Sequence, residues 1–222
     1  MKHKRFFYTI SFLMIFMLTG TLSFADHKQS GRKYEVTITN LTRGQVFSPP
    51  IVITHSKNFR LFTLGDTVSP ELAALAEDGD TDLLTDAIAD QPPVFDYAVA
   101  AGPVMPGDSV ILEVKARSGS KFISAAGMLV STNDAFFAVQ NIHIRSWGKV
   151  TAEAKAYDAG SEANSEVCTY IPGPPCGNHV HDTALPEGYV HVHAGIHGIA
   201  DLDPADHDWR NPVAKITIRP IY

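Results

Sequence analysis

The sequence predicts a mainly β protein, an antiparallel β-sandwich carrying two short satellite helices. Three observations predict it. Short apolar–polar alternations recur along the chain, as where Tyr34, Val36 and Ile38 interleave with Glu35, Thr37 and Thr39, the period of a half-buried strand. The 16 glycines and 14 prolines punctuate these runs at the density of a turn-rich fold. Only residues 69–88 carry helical spacing with caps, and that stretch is too short for a bundle.

The elements follow in chain order. Tyr34 to Ile38 is the first strand, and Ser48-Pro49-Pro50 breaks the chain before Ile51-Val52-Ile53-Thr54 restarts it. Phe59 to Phe62 is a short apolar segment. Ser69 caps a helix with Pro70 in its first turn, Leu72, Leu75 and Ala76 share one face, and Gly79 stops it. Thr81 is the expected cap of a second helix, with Leu83, Leu84, Ala87 and Ile88 on its packed side. Phe95, Tyr97 and Val99 alternate again. After the Pro106-Gly107-Asp108 turn, Val110, Leu112 and Val114 point inward. Phe122 to Val130 is almost continuously apolar, as a central strand buried on both faces would be. Ser131-Thr132-Asn133-Asp134 turns the chain into Ala135–Val139 and Ile142–Ile144. Ala152, Ala154 and Ala156 alternate with Glu153 and Lys155. Residues 158–188 read as loop, Tyr189 to His193 alternates, and Val213 to Ile218 closes the fold. Roughly eight to ten strands without long intervening helices make one sandwich.

The 222 residues, 45% of them hydrophobic, can bury one sizeable core. Met1 to Arg5 is basic, Phe6 to Leu18 is apolar, and Ser23-Phe24-Ala25 offers small residues for cleavage before Asp26. Residues 1–25 are therefore read as a signal peptide, 26–32 as a disordered linker and 33–222 as the domain. The apolar stretch falls short of the roughly 20 residues a membrane anchor needs, and no other segment is long enough to span. The net charge of -6 becomes about -9 without Lys2, Lys4 and Arg5, since 24 acids then face 15 bases. Such a chain has no footprint for nucleic acid and suits hard cations. A secreted or periplasmic location makes Cys168 and Cys176, separated by a Pro/Gly-rich turn, a disulfide rather than two free thiols. Two thiols alone cannot complete a structural zinc site.

Two constellations carry chemistry. The first is Tyr157-Asp158-Ala159-Gly160-Ser161-Glu162, which follows a strand, with Asp134 in another strand-to-strand turn. Carboxylates on neighbouring loops, with a glycine letting the backbone curl inward, are what Ca²⁺ takes, six to eight hard oxygens in flexible geometry. The stretches 122–136 and 156–162 resemble the spondin N-terminal domain of F-spondin and mindin. So, in order, do Tyr34–Asn40, Glu71–Ile88 and Val213–Ile218. The resemblance covers nearly all of the chain after the leader. It implies a sandwich of C2-like character that binds calcium in its end loops, with Asp158 and Asp134 as ligands and Glu162 in the acidic position after Ala-Gly-Ser. The animal members are matrix adhesion proteins. Their thrombospondin-type repeats are missing here, and the short leader and lone domain suggest a bacterial single-domain member.

The second constellation is histidine. Six of the 10 histidines lie in 179–207. His179 and His181, and His191 and His193, are i, i+2 pairs that place two imidazoles on one strand face, a spacing that suits Zn²⁺ or Cu²⁺. Gly188 to His193 also looks like a strand of copper–zinc superoxide dismutases, without the rest of that pattern. Gly-x-Ser-x-Gly, His-Glu-x-x-His and phosphate-loop signatures are absent. Trp147 and Trp209 are candidates for a carbohydrate or protein surface. The sequence thus reads as an exported, calcium-binding, non-catalytic module for binding or adhesion, its partner an unknown protein or glycan at the cell surface. The alternative is a His-liganded zinc or copper protein with redox or hydrolytic activity.

Overall fold

The computed structural model describes residues 30–222. The leader and residues 26–29 of the linker lie outside the described residues. Arg32, read as linker, is instead a strand residue paired with Ala116.

Nine strands and three short helices follow one another as β1 (Arg32–Asn40), β2 (Ile51–His55), α1 (Pro70–Asp78), α2 (Asp82–Ala89), β3 (Val94–Val99), β4 (Ser109–Ala116), β5 (Phe122–Met128), β6 (Ala135–His143), β7 (Val150–Asp158), β8 (His191–Val192), α3 (Pro204–His207) and β9 (Ala214–Pro220). The strands form one antiparallel sheet in the order β3-β2-β5-β6-β7-β9-β1-β4, with β8 attached to β7. The sheet folds over at β7. Residues Val150–Ala154 pair with β9, and Lys155–Asp158 pair with β6. The alanines of β7 permit that corner, because Ala154 and Ala156 are fully buried where the two layers come together. The edge strands β3 and β4 nearly close the sheet through side chains. Lys115 N–H donates to Asp96 Oδ2 at 2.6 Å, and Thr54 Oγ1 donates to the Lys115 carbonyl at 2.6 Å.

Two apolar clusters explain the sequence pattern. Tyr34, Val36, Ile38, Leu112, Val114, Phe137, Ile216 and Ile218 fill the space between the layers. Ile51, Ile53, Ala126, Phe136 and Ala138 face the other way and are covered by Leu72, Leu75, Ala76, Leu84 and Ile88 of the helices. Strands β2 and β5 are therefore buried on both faces, which is why they lack alternation. Ser69 caps α1 as expected, and Gly79 ends it with φ 68°. At α2 the expected cap differs. Thr81 makes no capping bond, and Asp80 Oδ1 accepts from Asp82 N at 2.8 Å instead. Leu83 is exposed, because α2 rests on the sheet through the narrow Leu84–Ile88 stripe alone.

Between β7 and β9 the chain has little regular structure, a single 3₁₀ turn at Cys168–Tyr170 and the short β8 and α3. Cys168 and Cys176 are joined, with Cα atoms 5.0 Å apart. Trp209 is buried against His193, so of the two tryptophans only Trp147 presents a surface ring. Among the described residues no helix is long and apolar enough to cross a membrane.

Candidate metal centre

The register of β6 on β7 sets the site. Ala135, the first residue of β6, lies opposite Asp158, the last of β7. The preceding Asp134 is thereby brought to the same end of the sheet, and both aspartates are fully buried. Beyond Asp158 the backbone turns sharply at Gly160, φ 67°. A Cβ there would lie 2.3 Å from the Tyr189 carbonyl oxygen, so glycine is required both by conformation and by space. The turn aims its N–H groups at the two carboxylates. Gly160 N donates to Asp158 Oδ1 at 2.7 Å. Ser161 N and Glu162 N donate to Asp134 Oδ2 at 2.8 and 3.0 Å, and Ser161 Oγ adds a third contact at 3.2 Å.

Asp134 Oδ1 has no hydrogen-bond partner among the described residues. Burial, and then the negative charge of Asp158, push the Asp134 carboxyl up to about 8 despite the two backbone donors. Burial also raises Asp158, against the Asn164 amide that donates to its Oδ2 at 2.5 Å. A buried carboxylate left with an open oxygen beside a second carboxylate is unfavourable unless a proton or a cation joins it.

The next residues come from β8 and the segment before it. His191 Nε2 lies 3.6 Å from Asp158 Oδ1, and His193 Nε2 lies 3.8 Å from Asp158 Oδ2. Both imidazoles therefore face Asp158, but their nitrogens differ. His191 Nδ1 donates to the Val192 carbonyl at 3.2 Å, which leaves a lone pair on Nε2. His193 Nδ1 accepts from Gly195 N at 2.9 Å, so its proton is on Nε2, where it cannot bind a metal. Burial pushes His193 down to about 3, so it is neutral. Asp158, Glu187 and His191 each offer an atom within 4.8 Å of the others.

Glu162 is buried at the same turn, but its carboxylate faces away, accepting from Asp182 N at 3.1 Å. It groups with Glu77 and His181 rather than with the two aspartates. Burial raises it to about 7. His179 and His181 lie over the C-terminal end of α1, where His181 contacts Glu77 at 3.5 Å and Asp78 at 3.2 Å, and His179 contacts Asp78 at 3.8 Å. Burial depresses His181, but the carboxylates of Asp78, Glu162 and Glu77 outweigh it and its pKa is raised. The two histidine pairs thus meet different carboxylates, and no candidate metal group among the described residues takes members of both. A four-histidine centre of His179, His181, His191 and His193 is not what this geometry favours.

Sequence reasoning missed Glu187, Asn164 and the α1 pair Glu77 and Asp78. The last two had a signal, since acids at a helix C-terminus oppose its dipole and α1 has no base in its last turn. Glu187 and Asn164 had none, because each matters only through a contact with a strand far away in sequence.

The donor set at Asp134 and Asp158 is one of hard oxygens, which fits a cation such as Ca²⁺. A comparison with curated proteins found no match. The Spondin_N family model matches residues 32–175, which takes in β1 to β7, both helices under the sheet and both aspartates. The match spans well over half of the chain, and the chain belongs to the spondin N-terminal domain family.

Proposed function

We propose that the chain is an exported, non-catalytic module that holds Ca²⁺ at the Asp134–Asp158 end of the sandwich and binds a protein or glycan at the cell surface. The family is a non-enzymatic domain type, and a disulfide at Cys168–Cys176 agrees with an oxidising, extracellular setting. The observation that carries the calcium reading is Asp134, fully buried, with Oδ1 open and a second buried carboxylate beside it. A divalent ion removes that repulsion and fills the open coordination of Oδ1. Asp134 and Asp158 are the ligands proposed at its centre. Glu162, read from the sequence as a third ligand, supports the centre through its N–H to Asp134, while its carboxylate is held by the Asp182 N–H.

Thermal unfolding in chelator and in millimolar Ca²⁺ tests the reading. Binding to the native state alone stabilises by about 2.7 kcal/mol at a hundredfold excess over Kd. The melting temperature should rise with calcium in the wild type and not in Asp134→Asn or Asp158→Asn. Superimposable melting curves for the wild type would sink the calcium reading.

A further inference from the structure

We propose that Glu187 and His191 join Asp158 as ligands of the cation at this end, making a mixed carboxylate–imidazole site that binds Mn²⁺ more tightly than Ca²⁺. This rests on the reading that Asp134 and Asp158 hold a cation. It adds two residues that lie beyond the matched 32–175 region, so nothing in the family match supplies them.

Position, orientation and charge argue for it separately. The segment 187–192 is pinned by its backbone. Gly188 N donates to the Gly160 carbonyl at 2.8 Å, Val190 N donates to Asp66 O at 2.9 Å, and His191 pairs with Asp158 in the β7–β8 ladder. The His191 ring is therefore delivered to Asp158 by main-chain bonds. Its Nε2 lone pair stands 3.6 Å from Asp158 Oδ1, too far for a hydrogen bond. It is close to the roughly 3–3.6 Å that separates two ligand atoms each about 2.1 Å from one ion. Asn164 Nδ2 donates to both Asp158 Oδ2 and Glu187 Oε1, at 2.5 and 2.9 Å, and so holds two like-charged carboxylates side by side.

Two groups at the site are unsatisfied and buried. Asp134 Oδ1 lacks a partner, and so does His193 Nε2, whose side chain is 4% exposed and which stands 3.8 Å from Asp158 Oδ2. His193 Nε2–H, beyond hydrogen-bond reach of Asp158 Oδ2, carries the ring's proton and so stands beside the site without being a ligand. Ca²⁺ takes oxygen and gains little from an imidazole, whereas first-row divalent ions accept nitrogen readily. His191 is the residue that separates the two ions.

Calorimetric titration of the purified protein with Mn²⁺ and with Ca²⁺, together with electron spin echo spectroscopy of the Mn²⁺ form, tests this. The wild type should bind one Mn²⁺ at this site at least tenfold more tightly than Ca²⁺, with ¹⁴N modulation from one imidazole. His191→Ala, a change at a partly exposed side chain, should lose tenfold or more in Mn²⁺ affinity and the ¹⁴N signal, with Ca²⁺ affinity within twofold. Glu187→Gln should weaken both ions by about tenfold. If the wild type binds both ions while His191→Ala and Glu187→Gln behave as wild type, the inference is overturned and the calcium reading stands. If neither ion binds, or Asp134→Asn binds both as the wild type does, the calcium reading falls and takes this inference with it.

Discussion

In the sandwich, backbone N–H groups meet carbonyls across strand ladders, and the side chains between the layers are apolar. In residues 159–212 several of these backbone N–H groups meet carboxylates instead, beside others that still find carbonyls. Asp134 takes the amides of Ser161 and Glu162, Glu162 that of Asp182, Glu166 those of His197 and Ile199, Asp201 that of Cys168, and Asp208 that of Ile196. Each acid acts as a carbonyl surrogate for amides that the segment's scattered backbone pairs leave over. An acidic chain can thus use its charge to hold its irregular part. Hydrogen bonds to an ionised acceptor are stronger than those between neutral groups, so a few acids fix a long loop without an apolar core of its own. The same device leaves Asp134 with one oxygen over.

The sandwich should fail as a whole when its core is emptied. Phe137 packs on Phe47 with ring centroids 4.5 Å apart, and Gly127 lies opposite it, where a Cβ would come within 2.8 Å of the ring. Phe137→Ala should cost about 3–5 kcal/mol in denaturant unfolding, the range for a buried aromatic. A loss below about 1 kcal/mol would mean the core collapses around the gap and the layers are only loosely specified.

The loop end should fail locally. Glu166 has φ 56°, unusual for a residue with a Cβ, and its carboxylate receives His197 N at 2.6 Å and Ile199 N at 2.9 Å. Glu166→Ala should destabilise that loop by about 1–3 kcal/mol. Hydrogen exchange at the amides of 197 and 199 should quicken, with those of β5 unchanged. Equal acceleration in β5 would break the comparison, since loop and sandwich would then open as one unit.

The smallest effect concerns a titratable group buried in the sandwich, His55. His55 donates from Nδ1 to the Ser56 carbonyl at 2.7 Å, and its Nε2 accepts from Ser124 Oγ at 2.8 Å, so both nitrogens are used with the ring neutral. Burial lowers its pKa. The unfolded chain takes up a proton near pH 6.5, its ordinary value, before the folded one does. Stability is therefore full above about pH 6.5 and declines as pH falls below it toward the folded value. The melting temperature should drop between pH 7.5 and 5.5, and less steeply in His55→Gln. Parallel pH profiles would show that His55 ionises in place.

Much of the sandwich was legible because strands announce themselves locally. Tyr34, Val36 and Ile38 are buried as their alternation requires, and the unbroken apolar run after Phe122 marks a strand covered on both faces. Helix α1 was legible from Ser69, Pro70 and Gly79. Thr81 and Leu83 misled, because the choice between a Thr hydroxyl and an Asp80 carboxylate as cap, and the width of the stripe α2 buries, depend on the surface beneath. At the site, Asp134 and Asp158 stood out by their turns, whereas Glu187 and Asn164 were indistinguishable from other loop residues.

By itself the sequence determined the strand-rich class, helices α1 and α2 and the acidic turns after β5 and β7, but not the single turn of α3. Those are properties of neighbours in the chain, set by side-chain period and by glycine at Gly160. Only the tertiary structure decided which acid does what. Asp134 keeps an open oxygen, Glu162 turns to Asp182, and Glu166 pins a distant loop, although all three are carboxylates in polar surroundings. The physical reason is that a carboxylate's role depends on which donors reach it, and here those donors arrive from segments up to 33 residues away.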